Sequence, residues 1–182
     1  MKAPVLHTER LILKPINLSY CTQQYVDWMN DPDVNTYLDS GGNYTIDELK
    51  KYLSPLEEHP ILFWAITLKE SGKHIGNVKI DPIKTKSGLG EYGILMGDKN
   101  EWNKGYAQEA SQAAIDYCFN ELHLRKITLG VVEDNVPAVN LYYKMGFVQE
   151  GLYKYHGKYN GKYCHALRMA VFNKAFQYAD NK

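Results

Sequence analysis

The sequence predicts a mixed α/β domain, and three observations predict it. Strand-like and helix-like runs alternate along the whole chain. A long helix-like run, Gly105 to Leu122, follows three strand-like stretches separated only by turns. The last two strand-like runs are joined around Asn160-Gly161, and an Asn-Gly pair in that setting is a strong hairpin signal. The coarse order is β-α-α-β-β-β-α-β-α-β-β.

Each element has its own signals. Arg10-Leu-Ile-Leu-Lys14 is β-branched and apolar and reads as a strand, ended by Pro15, which has no N–H for a ladder. Asn17 to Met29 reads as a helix capped by Asn17 or Ser19, and Asn30-Asp-Pro-Asp33 as a turn. Thr45-Ile-Asp-Glu48 fits a capping box that opens a helix to about Leu53, stopping before Pro55. Ile61–Leu68, His74–Ile80 and Glu91–Met96 read as an antiparallel meander with turns at Glu70–Lys73 and Thr85–Gly88. In the long helix Ala110, Ala113, Ala114, Tyr117, Cys118 and Glu121 fall near helical spacing. Lys126–Val132 is strand-like. Asn135 to Lys144 is a helix with Asn135 as candidate N-cap and Gly146 as its stop. Phe147–Tyr155 and Tyr163–Phe172 are the closing strands.

The bulk composition limits the function classes. The 182 residues suit one domain, 1–182, and are enough to bury a proper core. The formal net charge is zero, so the overall balance points to neither a nucleic-acid nor a membrane partner, although charges can still segregate by face. The three cysteines, Cys21, Cys118 and Cys164, are far apart and form no CxxC pair, which argues against a disulfide framework or a metal site. Cys118 falls on an apolar helix face and reads as core. The opening residues lack the apolar stretch of a signal peptide, and no apolar run approaches a membrane span, so a reducing, cytoplasmic setting is expected.

The stretch Ile94 to Ala110 carries the chemistry. It reads as strand, short loop, helix, and such a loop aims free backbone N–H groups at an anion while the helix dipole adds attraction. Gly105 lets the backbone approach closely, and Lys104 adds positive charge. By itself this says only that an anion sits at a helix start.

The string Trp102-Asn-Lys-Gly-Tyr-Ala-Gln-Glu-Ala110 resembles the pyrophosphate loop of the GNAT acetyltransferases, written Q/R-x-x-G-x-G/A, with Trp102 at the Q/R position, Gly105 at the first glycine and Ala107 at the last small position. Tryptophan departs from the strict pattern and is similar to the branch of RimJ/RimL-like ribosomal-protein N-terminal acetyltransferases. Asn135-Val-Pro-Ala-Val-Asn-Leu-Tyr-Tyr-Lys-Met-Gly-Phe147 resembles the family's second signature, N-x-x-A-x-x-x-Y-x-x-x-G-F. Thr8–Pro15 is similar to the usual start of this branch. Gly146–Gly151, Asn160–Tyr163 and Leu167–Met169 resemble both it and the spermidine acetyltransferases.

The resemblance implies a GNAT fold: a central, mostly antiparallel sheet flanked by helices and splayed at a cofactor slot. It implies acetyl-CoA as co-substrate and no metal. The main chain of Ile94, Leu95 and Met96 would bind the pantetheine arm, and the amides of Asn103, Lys104, Gly105, Tyr106, Ala107 and Gln108 the pyrophosphate. The arm would lie between Glu91–Met96 and Lys126–Val132. Asn135 matches a side chain that bonds the cofactor, with a plain N-cap as the alternative, and Asn140 is a second candidate on the same helix. Tyr142 matches the family tyrosine near the thioester sulfur. A phenol with a pKa of about 10 is protonated at neutral pH and can serve a leaving thiolate as acid. The four-residue spacing to Gly146 favours it over Tyr143. Glu91 is the candidate base, with a solvent-facing strand carboxylate as the alternative. Glu109 reads as structural, complementing the helix dipole.

The acceptor is left open: a protein N-terminus, a polyamine or a nucleotide-linked amino sugar. Trp28, Tyr37, Tyr44 and Tyr52 are candidates to stack on a sugar or grip a peptide. A polyamine site needs acids, and Asp31, Asp33, Asp39, Asp47 and Glu48 are interrupted by other residues. The reading of another class is an inactive CoA-binding sensor or partner-binding module. Family members are often dimers, and the late hairpin is the expected contact surface of a homodimer.

Overall fold

The computed structural model describes residues 1–38 and 42–176, so Asp39 lies outside the described residues. Its strands are β1 (Leu6–His7), β2 (Leu11–Pro15), β3 (Leu62–Leu68), β4 (His74–Lys84), β5 (Leu89–Met96), β6 (Lys126–Val132), β7 (Val148–Tyr159) and β8 (Lys162–Phe172). They form one sheet in the order β1-β2-β3-β4-β5-β6-β8-β7. The helices are α1 (Gln23–Asn30), α2 (Pro32–Asn35), α3 (Ile46–Leu53), α4 (Pro55–Glu58), α5 (Tyr106–Asn120) and α6 (Val136–Lys144). This is the mixed α/β sheet expected from the sequence, with β1 as an additional short edge strand.

Neighbouring strands run antiparallel except β5 and β6, which are parallel and joined through the helix α5. A parallel connection needs a crossover, and α5 supplies it. The β5–β6 ladder holds for three rungs, Leu89↔Lys126, Gly90↔Ile127 and Glu91↔Thr128. Beyond them the two strands part.

One core lies between the sheet and α5. Leu11, Leu13, Trp64, Ile66, Val78, Ile80, Ile127 and Leu129 are buried there against Ala110, Ala114, Ile115 and Cys118. Alanine and serine on the inner face of α5 let the helix sit close, so Cys118 is core as its helical spacing suggests. A second core lies on the other face of the sheet, where Phe63 meets Ile16, Tyr25, Val26, Trp28, Leu49 and Leu53 under α1 and α3. Helices α1–α4 thus form a cap over this face.

Local capping explains the cap's segments. Thr45 and Glu48 make both bonds of the capping box, Glu48 N to Thr45 Oγ1 at 3.2 Å and Thr45 N to Glu48 Oε2 at 2.7 Å. The helix expected over Asn17–Met29 is broken. Asn17 caps only a 3-10 turn, Leu18–Tyr20, Cys21 leaves helical geometry at ψ 77°, and Thr22 starts α1 by accepting from Tyr25 N. The turn expected at Asn30–Asp33 is instead the start of α2, because Asp31 accepts from Asp33 N and Pro32 is preset for the first helical position. The Asn160-Gly161 hairpin forms as expected, with φ of 48° and 80°. Among the described residues no helix is long and apolar enough to cross a membrane.

Candidate active site

The parting of β5 from β6 leaves a slot flanked by Tyr92–Met96, which has no β6 partner; within it lies Ile94–Met96, the segment that the resemblance assigns to a pantetheine arm. The loop after β5 carries the anion site. Asn103 (φ 61°) and Gly105 (φ 82°) both take left-handed backbone, and Gly105 is the N-cap of α5, with no side-chain cap bond. The first helical amide with an acceptor is Glu109 N, to Gly105 O at 3.1 Å. The amides of Tyr106, Ala107 and Gln108 therefore lack intrahelical partners, and among the described residues Asn103, Lys104 and Gly105 donate no backbone bond either. These are the six amides expected to cradle a pyrophosphate.

Three side chains hold the loop in place. Trp102 Nε1 donates to Met96 O at 2.8 Å and ties the loop back to the end of β5. That bond is the physical role of tryptophan at a position where the family pattern has Gln or Arg. Arg10 donates from Nη1 to Lys104 O at 2.9 Å and lies 4.5 Å above the Tyr106 ring. Glu109 accepts from Thr8 Oγ1 at 2.6 Å and from Arg10 N and Nε at 2.8 and 2.7 Å. Burial pushes the Glu109 carboxyl up, but these bonds outweigh it and hold it below the usual range. Glu109 is thus structural, as expected, through the N-terminal strand as well as the dipole. Lys73 bridges Asp98 at 2.6 Å and Glu101 at 3.3 Å, and Glu101 also holds Lys104 at 2.8 Å.

Tyr142, the candidate acid, lies on α6. It is buried, and its ring packs edge-on to Tyr92 (5.8 Å between centroids) and against Phe147 (5.7 Å). Burial pushes its phenol up to about 12. Tyr143 is exposed, on the outer side of the helix. The spacing Tyr-x-x-x-Gly-Phe has a geometric cause. Gly146 (φ 85°) ends α6, Phe147 N donates to Tyr142 O at 3.0 Å and Gly146 N to Tyr143 O at 3.0 Å. This is a Schellman motif, whose usual apolar contact is made by Phe147 on Tyr142 itself. Asn135 caps α6 by accepting from Ala138 N at 3.4 Å, while Asn140 is exposed on the same helix.

Glu91, the candidate base, stands at the last β5–β6 rung, where the two strands part. Arg168 holds both carboxylate oxygens, Nη1 to Oε1 at 2.8 Å and Nη2 to Oε2 at 2.9 Å, and Thr128 Oγ1 donates a short bond to Oε2. Two lone pairs of this carboxylate are taken by the two-pronged ion pair and a third by Thr128, so Glu91 is held in a fixed position. Arg168 reaches β5 from β8 by crossing Gly130 on β6, where a Cβ would come within 2.9 Å of Nη1. The set Glu91, Thr128, Gly130 and Arg168 is not legible in the sequence, because residues of three strands meet there. The usable signal was an arginine within the apolar run Leu167-Arg-Met169.

The aromatic acceptor candidates separate. Trp28 is buried, with its ring over Gly97 and 4.8 Å from His74, and packs in the core of the cap. Tyr44 is half-buried in the same cap, its N and O bonded to the Asn30 side chain. Tyr37 is half-buried and reaches across the cleft, donating to Asp134 O at 3.1 Å and meeting Tyr159 of the β7–β8 hairpin at 6.0 Å. Tyr52 is exposed, edge-on to Phe63. Among the described residues no cluster of His, Cys, Asp or Glu is arranged to hold a metal. Two further concavities, of about 730 and 830 Å³, lie beside α4 and along the outer face of α5, the second reaching Gly105 and Gln108 at the start of the helix.

A parallel pair opened into a slot and, among the described residues, six unpartnered amides at a helix start are the frame of an acyltransferase. Comparison with known proteins gives the family. Residues 10–148 match the acetyltransferase (GNAT) domain, and the chain belongs to that family. The chain is similar to an uncharacterized N-acetyltransferase, p20, of Bacillus licheniformis, with 27% identity over 94% of this chain and 97% of that protein. It is 32% identical to the spermidine N(1)-acetyltransferase of Escherichia coli K12 over 105 residues, 58% of this chain and 56% of that one. Among solved structures, the spermidine N-acetyltransferase from Vibrio cholerae in complex with CoA and spermine superimposes with a TM-score of 0.82 at 25% identity, over 90% of this chain and 95% of that one. The chain is thus an N-acetyltransferase of the GNAT family, in the branch that its sequence resembles.

Proposed function

We propose that this protein transfers an acetyl group from acetyl-CoA to a primary amine by direct attack, with Tyr142 as the acid. The observation that carries the reading is the run of six unpartnered amides, Asn103 to Gln108, ending a strand whose free edge borders the slot. A pyrophosphate satisfies those amides, and a pantetheine arm satisfies the edge of Ile94–Met96 as a strand would. These residues fit acetyl-CoA, which supplies the thioester whose carbonyl the amine attacks. Asn135, at the mouth of the same slot, serves α6 as N-cap and leaves its amide nitrogen for the cofactor.

Tyr142 holds a proton for the leaving sulfur. Its raised pKa keeps the phenol neutral through the physiological range, and Tyr92 and Phe147 fix its ring. Glu91 is an anchor in this reading, fastened to Arg168 at the point where the strands part. The acceptor is a small amine or a protein N-terminus that enters under the cap, past Tyr37.

Tyr142→Phe tests the assignment. The variant is expected to bind CoA with parental affinity by calorimetry and to lose roughly a hundredfold in turnover, the scale of a general acid. Parental turnover on the preferred amine would remove Tyr142 from that role. CoA binding with no turnover on any amine would favour a sensor instead.

A further inference from the structure

The face of the sheet under the cap has a floor at the slot, made by residues that share one side of their strands. Lys79 on β4 pairs with Gly93 on β5, and Glu91 lies two residues before Gly93 on the same side. Gly93 carries no side chain, and the Lys79 stem lies over it: a Cβ at Gly93 would meet Lys79 Cε at 3.5 Å and Cγ at 3.6 Å. At Gly93 the β5 strand has already lost β6 as a neighbour. The stem therefore runs from β4 across β5 toward the lip of the slot.

Lys79 is half-buried. Lys73, Lys99, Lys104 and Lys126 all have carboxylate partners between 2.5 and 3.3 Å. Among the described residues Lys79 has neither an ion pair nor a hydrogen bond. Several carboxylates of this region are engaged with other groups. Glu91 is held by Arg168, Asp31 and Asp33 share Lys99 at 2.7 and 2.8 Å, and Asp134 accepts from the Cys164 thiol at 3.5 Å. The β7–β8 hairpin that closes the far side carries Lys154, Lys158 and Lys162 and no Asp or Glu between Gly151 and Leu167. Its Tyr159 meets Tyr37 of the cap.

A half-buried ammonium without a partner is stabilised by an anion, and a charge-assisted bond formed there is among the stronger ones available. We infer that Lys79 determines acceptor choice: it pairs with a carboxylate or phosphate on the acceptor molecule, so the protein takes small anionic amines in preference to polyamines. The inference rests on the acetyl-transfer reading above. A polyamine brings several positive charges to a positive floor and is repelled, whereas an amine a few bonds from an anion is attracted and oriented. The same positive charge favours the neutral, nucleophilic form of the incoming amine, which suits a site whose apex carboxylate is occupied.

The test is thiol release from acetyl-CoA with four acceptors: an α-amino acid, the corresponding amino-acid amide, a phosphorylated amino sugar and spermidine. The two anionic acceptors separate carboxylate from phosphate as the preferred partner. The expected result is a kcat/KM for the better anionic acceptor roughly tenfold or more above the amide, with spermidine below both. Lys79→Met is expected to collapse that ratio, Lys79→Arg to keep most of it, and Lys79→Glu to shift preference toward spermidine. Preference of the parent protein for the amide or spermidine, or a parental ratio in Lys79→Met, overturns the inference. Calorimetry with CoA separates the two levels. CoA binding with spermidine as best acceptor overturns the inference alone, whereas no CoA binding, or binding without turnover on any amine, removes the transferase reading and the inference with it.

Discussion

Gly97 sits where the cap meets the cofactor loop, and it has no space for a side chain. A Cβ there would lie 1.9 Å from Cδ2 of the Trp28 indole. The indole in turn packs on His74, whose Nε2 donates to Gly76 O and Asn77 Oδ1 at 2.9 Å each. Burial lowers the His74 pKa, so the ring stays neutral under the cap. Gly97→Ala is expected to drive the indole off its seat at a cost of about 1–3 kcal/mol, the usual price of overpacking, and a thermal melt reads it directly. An unshifted midpoint would mean that the cap is not seated on the loop. Glu91 makes a second prediction at this scale. If it is an anchor, Glu91→Gln leaves Arg168 short of a partner and lowers stability by about 1 kcal/mol, while the shape of the pH–rate profile stays that of the parent. Loss of an acidic limb from that profile would restore the base role.

Two element ends decide how the site is presented. The end of α6 is a Schellman motif in which Gly146 supplies the left-handed residue and Phe147 the apolar contact to Tyr142. Gly146→Ala is expected to cost about 1 kcal/mol, and to lower kcat with a smaller change in KM for acetyl-CoA, because the phenol moves while the loop amides remain. An equal loss in CoA affinity would contradict this separation. The capping box of α3 is a contrasting case. Thr45→Ala removes an N-cap worth about 1 kcal/mol, and urea unfolding should register it without a change in the preference between acceptors.

At the level of the whole molecule, buried groups that are neutral in the fold set an alkaline limit. Burial pushes the Cys118 thiol from 9.0 up to about 12 and the Tyr142 phenol from 10.0 up to about 12. Their folded pKa values lie above the unfolded ones. The stability they contribute is therefore complete below pH 9 and is lost as the pH rises toward 12, because the unfolded chain releases these protons first. Melts between pH 8 and 11 are expected to show a falling midpoint, and Cys118→Ala should make the early part of the fall shallower. A flat profile over that range would show that these groups are not buried as described.

Much of this was legible in the chain. The capping box at Thr45–Glu48, the Asn160-Gly161 hairpin, the long helix after a glycine and the Tyr142–Phe147 spacing are all local patterns, and local backbone chemistry is written in adjacent residues. The sequence by itself determined the fold class, the family and the loop that offers its amides. It does not show how Trp28 is packed, because an aromatic residue on a short helix reads alike whether it faces a ligand or a neighbouring loop, and its seat over Gly97 is made by tertiary contact. Nor does it show the partner of Glu91: Arg168 is 77 residues away and reaches it because β8 lies beside β6 and Gly130 lets the guanidinium pass. The tertiary structure alone decided where β5 and β6 part, which carboxylates are taken and which ammonium is left over. Those are properties of non-neighbours brought within a few ångströms, where a charge's partner and not its identity fixes what it can do.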